Sequence, residues 1–310
     1  MSGLLGPLLV VIFCLSQALR DVYFGNLFQG VDFFAVLLLS FAISTAIFGG
    51  LALARCRKDL AILYANPGPV LAMNLLTAIA WSCYFFGLTH LEPAIVNTIH
   101  SGMAPLTVAV LGLWGGRLVG ARPIDRAELA GCAGILLVTA ALWFVVLTGR
   151  SGDRGGDLAT LALALAALLV SGGSITLSLL FAKRLNDRGV TSTSVTATRY
   201  FLLILVAAVI ELASSRPSGI AGPAQLGLLA AAATGLVVLP LFILQVGIAL
   251  SAPATAQIIR ALGPVFIFAL EQFDGRLHYS APVLASILAY SALAIAINVA
   301  HGRRREPARA

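Results

Sequence analysis

The sequence predicts an all-α membrane protein of ten transmembrane helices, arranged as two inverted five-helix repeats. Three observations predict it. The 310 residues are 59% hydrophobic and only 11% charged, with a mean hydropathy of +0.98, where a soluble chain carries about 25% charged residues. The apolar residues fall into ten runs near the roughly 20 residues that cross a hydrocarbon core. The fourth and ninth of these runs share a pattern of glycine and proline.

Charge, glycine and proline punctuation places the spans near 4–24, 32–54, 67–88, 92–114, 125–148, 157–182, 191–213, 222–249, 252–273 and 280–300. Met1 to Leu19 has neither the basic amino end nor the small-residue cleavage site of a removable signal peptide, so it begins the first span. The joins THLEP and LSAP precede the fourth and ninth spans, where Pro93 and Pro253 suit a first helical turn. Residues 1–150 then form the first five-helix repeat, 151–302 the second, and 303–310 a basic cytoplasmic tail.

With the amino end in the cytoplasm, the inner loops and tail hold 13 Lys and Arg residues, and the outer loops hold four: Arg150, Arg154, Arg216 and Arg276. The positive-inside rule therefore puts both termini in the cytoplasm of a cell inner membrane. The same distribution assigns the net charge of +7 to membrane flanks rather than to nucleic acid. Arg20, Arg199 and Arg260 remain within spans. A charge at that depth costs about 2.5–3.5 kcal/mol on insertion scales and faces a cavity or a partner. Arg20 adjoins Asp21 near the outer end of the first span, which fits pairing or snorkelling; for Arg199 packing and function are equally open. Cys14, Cys56, Cys83 and Cys132 show no CxxC spacing, so neither disulfide nor metal is expected.

The repeat is read from Gly87–Leu118 and Gly247–Leu277. Gly87 falls on Gly247 and Pro93 on Pro253, both offset by 160. After a one-residue slip, Pro105 falls on Pro264 and the Gly116-Arg117-Leu118 turn on Gly275-Arg276-Leu277, offset by 159. Five spans are an odd number, so the second copy enters the membrane from the opposite side, as in secondary transporters with a site near the midplane. Asn97 and His100 then match Gln257 and Arg260, each pair one turn apart on one helix face. Polar side chains at such depth are expected to line a hydrated interior.

These stretches, LEPAIVNTIHSGMAPLTVAVLGLWGGRL and its second copy, resemble the drug/metabolite transporter superfamily in its EamA-like branch of bacterial exporters. The likeness covers nearly the whole chain in span count and order. It implies ten helices in two inverted halves and export of small metabolites by alternating access. The turn acid common in that family is Gly116 in the first copy and Asp274, one place early, in the second. The aromatic amino acid exporter branch is the nearest comparison, yet its tyrosine-leucine-tryptophan-proline run is replaced here by TIHSGMAP.

Asn74, Thr77, Trp81 and Tyr84 in the third span are spaced 3, 4, 3 and form one polar and aromatic stripe. It suits a pocket wall as well as helix–helix hydrogen bonding. Ser171, Ser174 and Ser178, with Gly172 and Gly173, suit close packing of the sixth span. Pro105 and Pro264, at matched places inside spans, are candidate hinges of two gates. No HExxH, GxSxG or GxxxxGK[ST] occurs, so no enzyme activity and no nucleotide-driven transport are expected. No acidic residue is expected at mid-membrane, which leaves His100 as the mid-span group that titrates near neutral pH.

The expected protein is thus a monomeric exporter of amino acids or similar small metabolites, with membrane lipids around it and no cofactor. Arg260 would attract a substrate carboxylate. Asn97 and Gln257 would orient the substrate, Trp81, Tyr84, Asn74 and Thr77 would wall the pocket, and His100 would bind substrate or carry a proton. A lipophilic-drug or nucleotide-sugar carrier is the second reading, and a membrane-embedded enzyme acting on lipid the third.

Overall fold

The computed structural model describes residues 2–113, 126–152, 156–214, 218–251 and 253–305, with backbone alone at 2, 3, 245, 248, 249, 253, 254 and 300–305. Every regular element among them is helical. In chain order they are α1 (Ser2–Leu27), α2 (Phe33–Arg55), α3 (Lys58–Tyr64), α4 (Pro67–His90), α5 (Pro93–Leu113), α6 (Arg126–Leu147) and α7 (Leu158–Asp187). Then follow α8 (Ser192–Thr198), α9 (Phe201–Ala213), α10 (Pro223–Ala233), a π turn (Thr234–Val238), α11 (Leu239–Ala249), α12 (Pro253–Ala261), α13 (Gly263–Glu271) and α14 (Ala281–Arg305). Among the described residues, nine helical stretches are long and apolar enough to cross a membrane. The chain is an all-α membrane protein. The expected Gly116-Arg117-Leu118 turn, Arg122, Arg154, Arg216 and the last five residues of the tail lie outside the described residues.

Local chemistry sets the helix ends. The Asp32 carboxylate accepts the Phe34 amide at 2.7 Å to start α2, and Asp157 accepts the Thr160 amide at 2.9 Å to start α7. Proline opens α4 and α10, where its missing N–H removes nothing. Three expected single spans are interrupted. The seventh divides into α8 and α9 at Arg199-Tyr200, and the eighth widens into the π turn just before Pro240. The ninth breaks at Leu262, because Pro264 has no N–H to donate and its ring crowds the carbonyl four residues back. Pro264 then stands in the first turn of α13. Pro105, its match in the sequence, sits instead within the uninterrupted α5. The short α3 lies where only a loop was expected.

At two of these breaks a neighbouring side chain repairs the backbone hydrogen bonding, as a lipid environment demands. Asn74 of α4 donates to the Thr198 carbonyl at 2.9 Å and accepts the Leu202 amide at 3.2 Å, so it bridges the α8–α9 joint. Ser291 of α14 donates to the Ala261 carbonyl at 2.9 Å, at the end of α12.

Loop contacts sort the connections into two ends. At the end holding Ser2, here the proximal end, Thr191 donates to the Asp59 carboxylate through its amide at 2.8 Å and its hydroxyl at 2.6 Å, and Arg188 donates to Asn66. Burial works to raise the Asp59 carboxyl, but the Thr191 and Ser194 hydroxyls outweigh it and hold the group below its ordinary value. At the distal end the Asp32 amide donates to Ser218 at 3.0 Å, and the His278 amide to Gly152 at 3.2 Å. There the Ala94 amide, in the first turn of α5, donates to the Glu271 carboxylate at 3.1 Å.

The largest apolar cluster fills the distal half. It includes Phe24, Phe28, Phe85, Leu88, Ile95 and Ile267. Helix α4 packs along α7, as α11 does along α1; α5 packs on α7, as α12 and α13 do on α1. Helices α6 and α14 pair with each other, and α2 pairs with α8 and α9. Small residues permit the closest approaches. A Cβ on Gly172 would collide with the His100 carbonyl and stand 2.6 Å from the Met103 Cβ. A Cβ on Gly87 would stand 2.6 Å from Leu168 of α7, and one on Gly247 3.1 Å from Leu9 of α1.

Candidate functional site

Helix α4 presents the stripe Asn74, Thr77, Trp81 and Tyr84, and the structure divides it into two parts. The proximal part is engaged in packing. Besides bridging the α8–α9 joint, Asn74 donates to the Val70 carbonyl at 3.0 Å, and Thr77 meets Ser178 of α7 at 2.6 Å. The distal part faces the interior. Trp81 lies 4.9 Å from the Phe41 ring, and Tyr84 lies 4.7 Å from the His100 ring.

Tyr84 belongs to a buried polar network. Its hydroxyl donates to Asp21 Oδ2 at 2.7 Å and accepts from Asn97 Nδ2 at 3.3 Å. The other Asp21 oxygen accepts from Arg20, with Nε at 2.8 Å and Nη2 at 2.6 Å. Asp21 is 0% exposed, Asn97 2% and Arg20 6%. The Arg20 guanidinium also lies 5.3 Å from the Trp81 ring centroid and 5.7 Å from that of Tyr84, within cation–π range. The sequence treats Arg20 and Asp21 as a span-end pair; the fold instead brings this pair to the Tyr84–Asn97 site. The signal for it was an adjacent acid and base inside an apolar run.

His100 has a defined partner. Its Nδ1 lies 2.9 Å from Ser171 Oγ, whose own proton goes to the Ala80 carbonyl at 2.7 Å. A hydroxyl has one proton to give, so Nδ1 carries the proton in this contact. A neutral His100 then presents Nε2 as a free acceptor. Ser171, taken from the sequence as a packing residue, thereby fixes the ring.

The second polar pair stands differently. Gln257 and Arg260 of α12 are both exposed, whereas Asn97 is buried and His100 partly buried. The Ile259 carbonyl, next to Arg260, accepts the Cys14 thiol of α1 at 3.8 Å. Gly263, just past the α12–α13 break, lies against Asn97, with 3.6 Å between an ideal Cβ there and Asn97 Oδ1. The structure therefore brings Trp81, Tyr84, Asn97 and His100 together and leaves Asn74 and Thr77 in the α4–α7–α8 packing, while Gln257 and Arg260 stand exposed on α12.

No protein family matches the sequence, and no curated protein does. A solved crystal structure, described only as that of a protein, superposes with a TM-score of 0.59 at 19% identity, over 98% of each chain. At that identity the likeness is one of fold.

Proposed function

We propose that the chain is an inner-membrane exporter of amino acids or similar small metabolites, working by alternating access, with the architecture of an EamA-like drug/metabolite transporter. In this reading α12 and α13 together form a broken ninth span, which makes ten crossings, and residues 1–150 and 151–302 are inverted repeats with both termini in the cytoplasm. The pairing of helices supports the repeat. The α4–α7 contact has its counterpart in α11–α1, and α5–α7 in α12/α13–α1, while α6–α14 and α2–α8/α9 join equivalent spans. Gly87 and Gly247, matched in sequence, both stand at close approaches to the first helix of the other half.

The observation that carries the transport reading is the difference between the matched polar pairs. Asn97 is sealed within the distal packing, whereas Gln257 and Arg260 are exposed. A chamber closed at the distal end by Glu271 on Ala94, and open toward the cytoplasm, accounts for that difference. The test is export of an amino acid and metabolite panel from cells or vesicles, with Arg260→Ala and His100→Ala as comparisons. Both variants should lose most activity; full activity in both removes the site. Lipophilic cations belong in the panel, because a guanidinium-lined chamber disfavours them, and preferential export of cations would favour the drug-carrier reading.

A further inference from the structure

A groove of about 530 Å³ lies between α1 and the end of α13, at the distal end of the molecule. Leu19 and Val22 of α1 line it together with Leu270 and Phe273, and Asn26 and Asp274 supply its polar atoms. Both polar residues stand at helix ends, Asn26 in the last turn of α1 and Asp274 just past α13. Leu19 lies seven residues before Asn26, about 10 Å deeper along α1. Leu19 is 51% exposed and Phe273 88%, so the groove opens on the outer face of the bundle, where a membrane protein meets lipid.

The polar end of the groove holds an acid and a base with unfilled hydrogen bonds. Asp274 is 8% exposed, and its Oδ1 accepts the Arg276 amide at 3.1 Å. Its Oδ2 is buried without a hydrogen-bond partner. Arg276 Nε lies 3.8 Å from that oxygen, near enough to pair charge but too far for a hydrogen bond. Nε and Nη2 of Arg276 are themselves buried and unpartnered. The guanidinium rests against α1, with Nη2 3.5 Å from an ideal Cβ on Gly25, the neighbour of Asn26. Buried polar atoms without partners are rare in native structures, and here an acceptor and two donors meet at the head of one apolar groove.

We propose that this groove binds a phospholipid with a primary-ammonium head, its tail along Leu19, Val22 and Leu270, its ammonium on Asp274 Oδ2 and its phosphate beside Arg276. The inference goes beyond the transport reading and stands without it. The lining runs from apolar in the depth of the span to polar at its end, as an amphiphile lies in one leaflet. A zwitterionic head meets an acid and a base side by side, so the charges are complementary. An ammonium has three N–H groups and fills Oδ2 with a charge-assisted hydrogen bond. A choline head has no N–H to give, and a glycerol head offers only neutral hydroxyls.

The test is lipid binding to the purified full chain in detergent, followed by native mass spectrometry. The probes are phosphatidylethanolamine, phosphatidylcholine and phosphatidylglycerol with identical acyl chains. The ethanolamine lipid should bind about 10- to 100-fold more tightly than the other two, the range for one charge-assisted contact. Asp274→Asn keeps the oxygen that accepts the Arg276 amide and removes the charge. It should bring the ethanolamine lipid down to the level of the choline lipid and leave the choline lipid unchanged. Leu19→Trp, at an exposed position, fills the tail slot without touching Asp274, and decides the matter if the asparagine variant folds poorly. It should weaken the ethanolamine lipid at least about tenfold. Equal or tighter binding of either other lipid, an ethanolamine preference kept in Asp274→Asn, wild-type binding by Leu19→Trp, or no bound lipid at all would overturn the proposal.

Discussion

Asp21 holds two other residues in place, and its removal should be among the most damaging single changes in the protein. In Asp21→Ala the Arg20 guanidinium, 6% exposed, loses its counter-charge, and the Tyr84 hydroxyl loses its acceptor. Breaking a buried pair from one side destabilises by about 3–5 kcal/mol, mainly because a charge is left unpaired. Asp21→Asn should be nearly as harmful, since a neutral amide leaves the buried guanidinium without a counter-charge. The double variant Arg20→Leu/Asp21→Leu removes both charges together, and apolar replacement of a buried pair is close to neutral. It should regain most of the loss, with about 1 kcal/mol remaining for the unpaired Tyr84 donor. Unfolding of the four proteins in one detergent, under identical conditions, gives the comparison. An Asp21→Ala protein within about 1 kcal/mol of wild type, or a double variant as unstable as the single, would refute the reasoning.

Two further changes separate packing from function. Gly172→Ala places a methyl group against the His100 carbonyl, where neither helix backbone yields easily, and should destabilise by about 1–3 kcal/mol. Gly173→Ala, next to it, meets only the Thr107 hydroxyl at 3.6 Å and should stay within about 0.5 kcal/mol in the same unfolding measurement. Asn74→Ala removes the bridge across the α8–α9 joint and should lose about 2–4 kcal/mol, while the folded fraction binds solute with unchanged affinity. A large change in affinity at unchanged stability would return Asn74 to the pocket wall.

Much of the helical framework was legible in the sequence, because lipid imposes a simple length rule on apolar runs. The expected start of the second span near residue 32 and of the sixth near 157 coincide with the capping aspartates, and Pro93 begins α5 as anticipated. The breaks were less legible. Pro264 warned of one in the ninth span, but nothing in TATRYF marks the Arg199-Tyr200 joint, which persists because Asn74, far away in sequence, bonds to both its sides. The site was half visible. Matched punctuation singled out Asn97 and His100, which meet Tyr84, whereas Asp21 looked like a span-end acid, because its proximity to Tyr84 is set by the packing of α1 beside α4. Asn74 and Trp81 share one stripe by spacing, yet only the neighbouring helices decide that one bridges a backbone gap and the other faces the interior.

The opposed orientation of the two halves is tested most directly at two helix starts that correspond in the repeat, just after Pro67 and just after Pro223. In a chain whose four native cysteines are replaced by alanine, Gly68→Cys and Ala224→Cys would be labelled in intact cells with a membrane-impermeant maleimide. Modification at position 224, with position 68 reacting only after the cells are opened, is the expected result. Labelling of both positions from the same face would contradict the inverted arrangement, and with it the convergence of Asn97, His100 and Arg260 on one chamber.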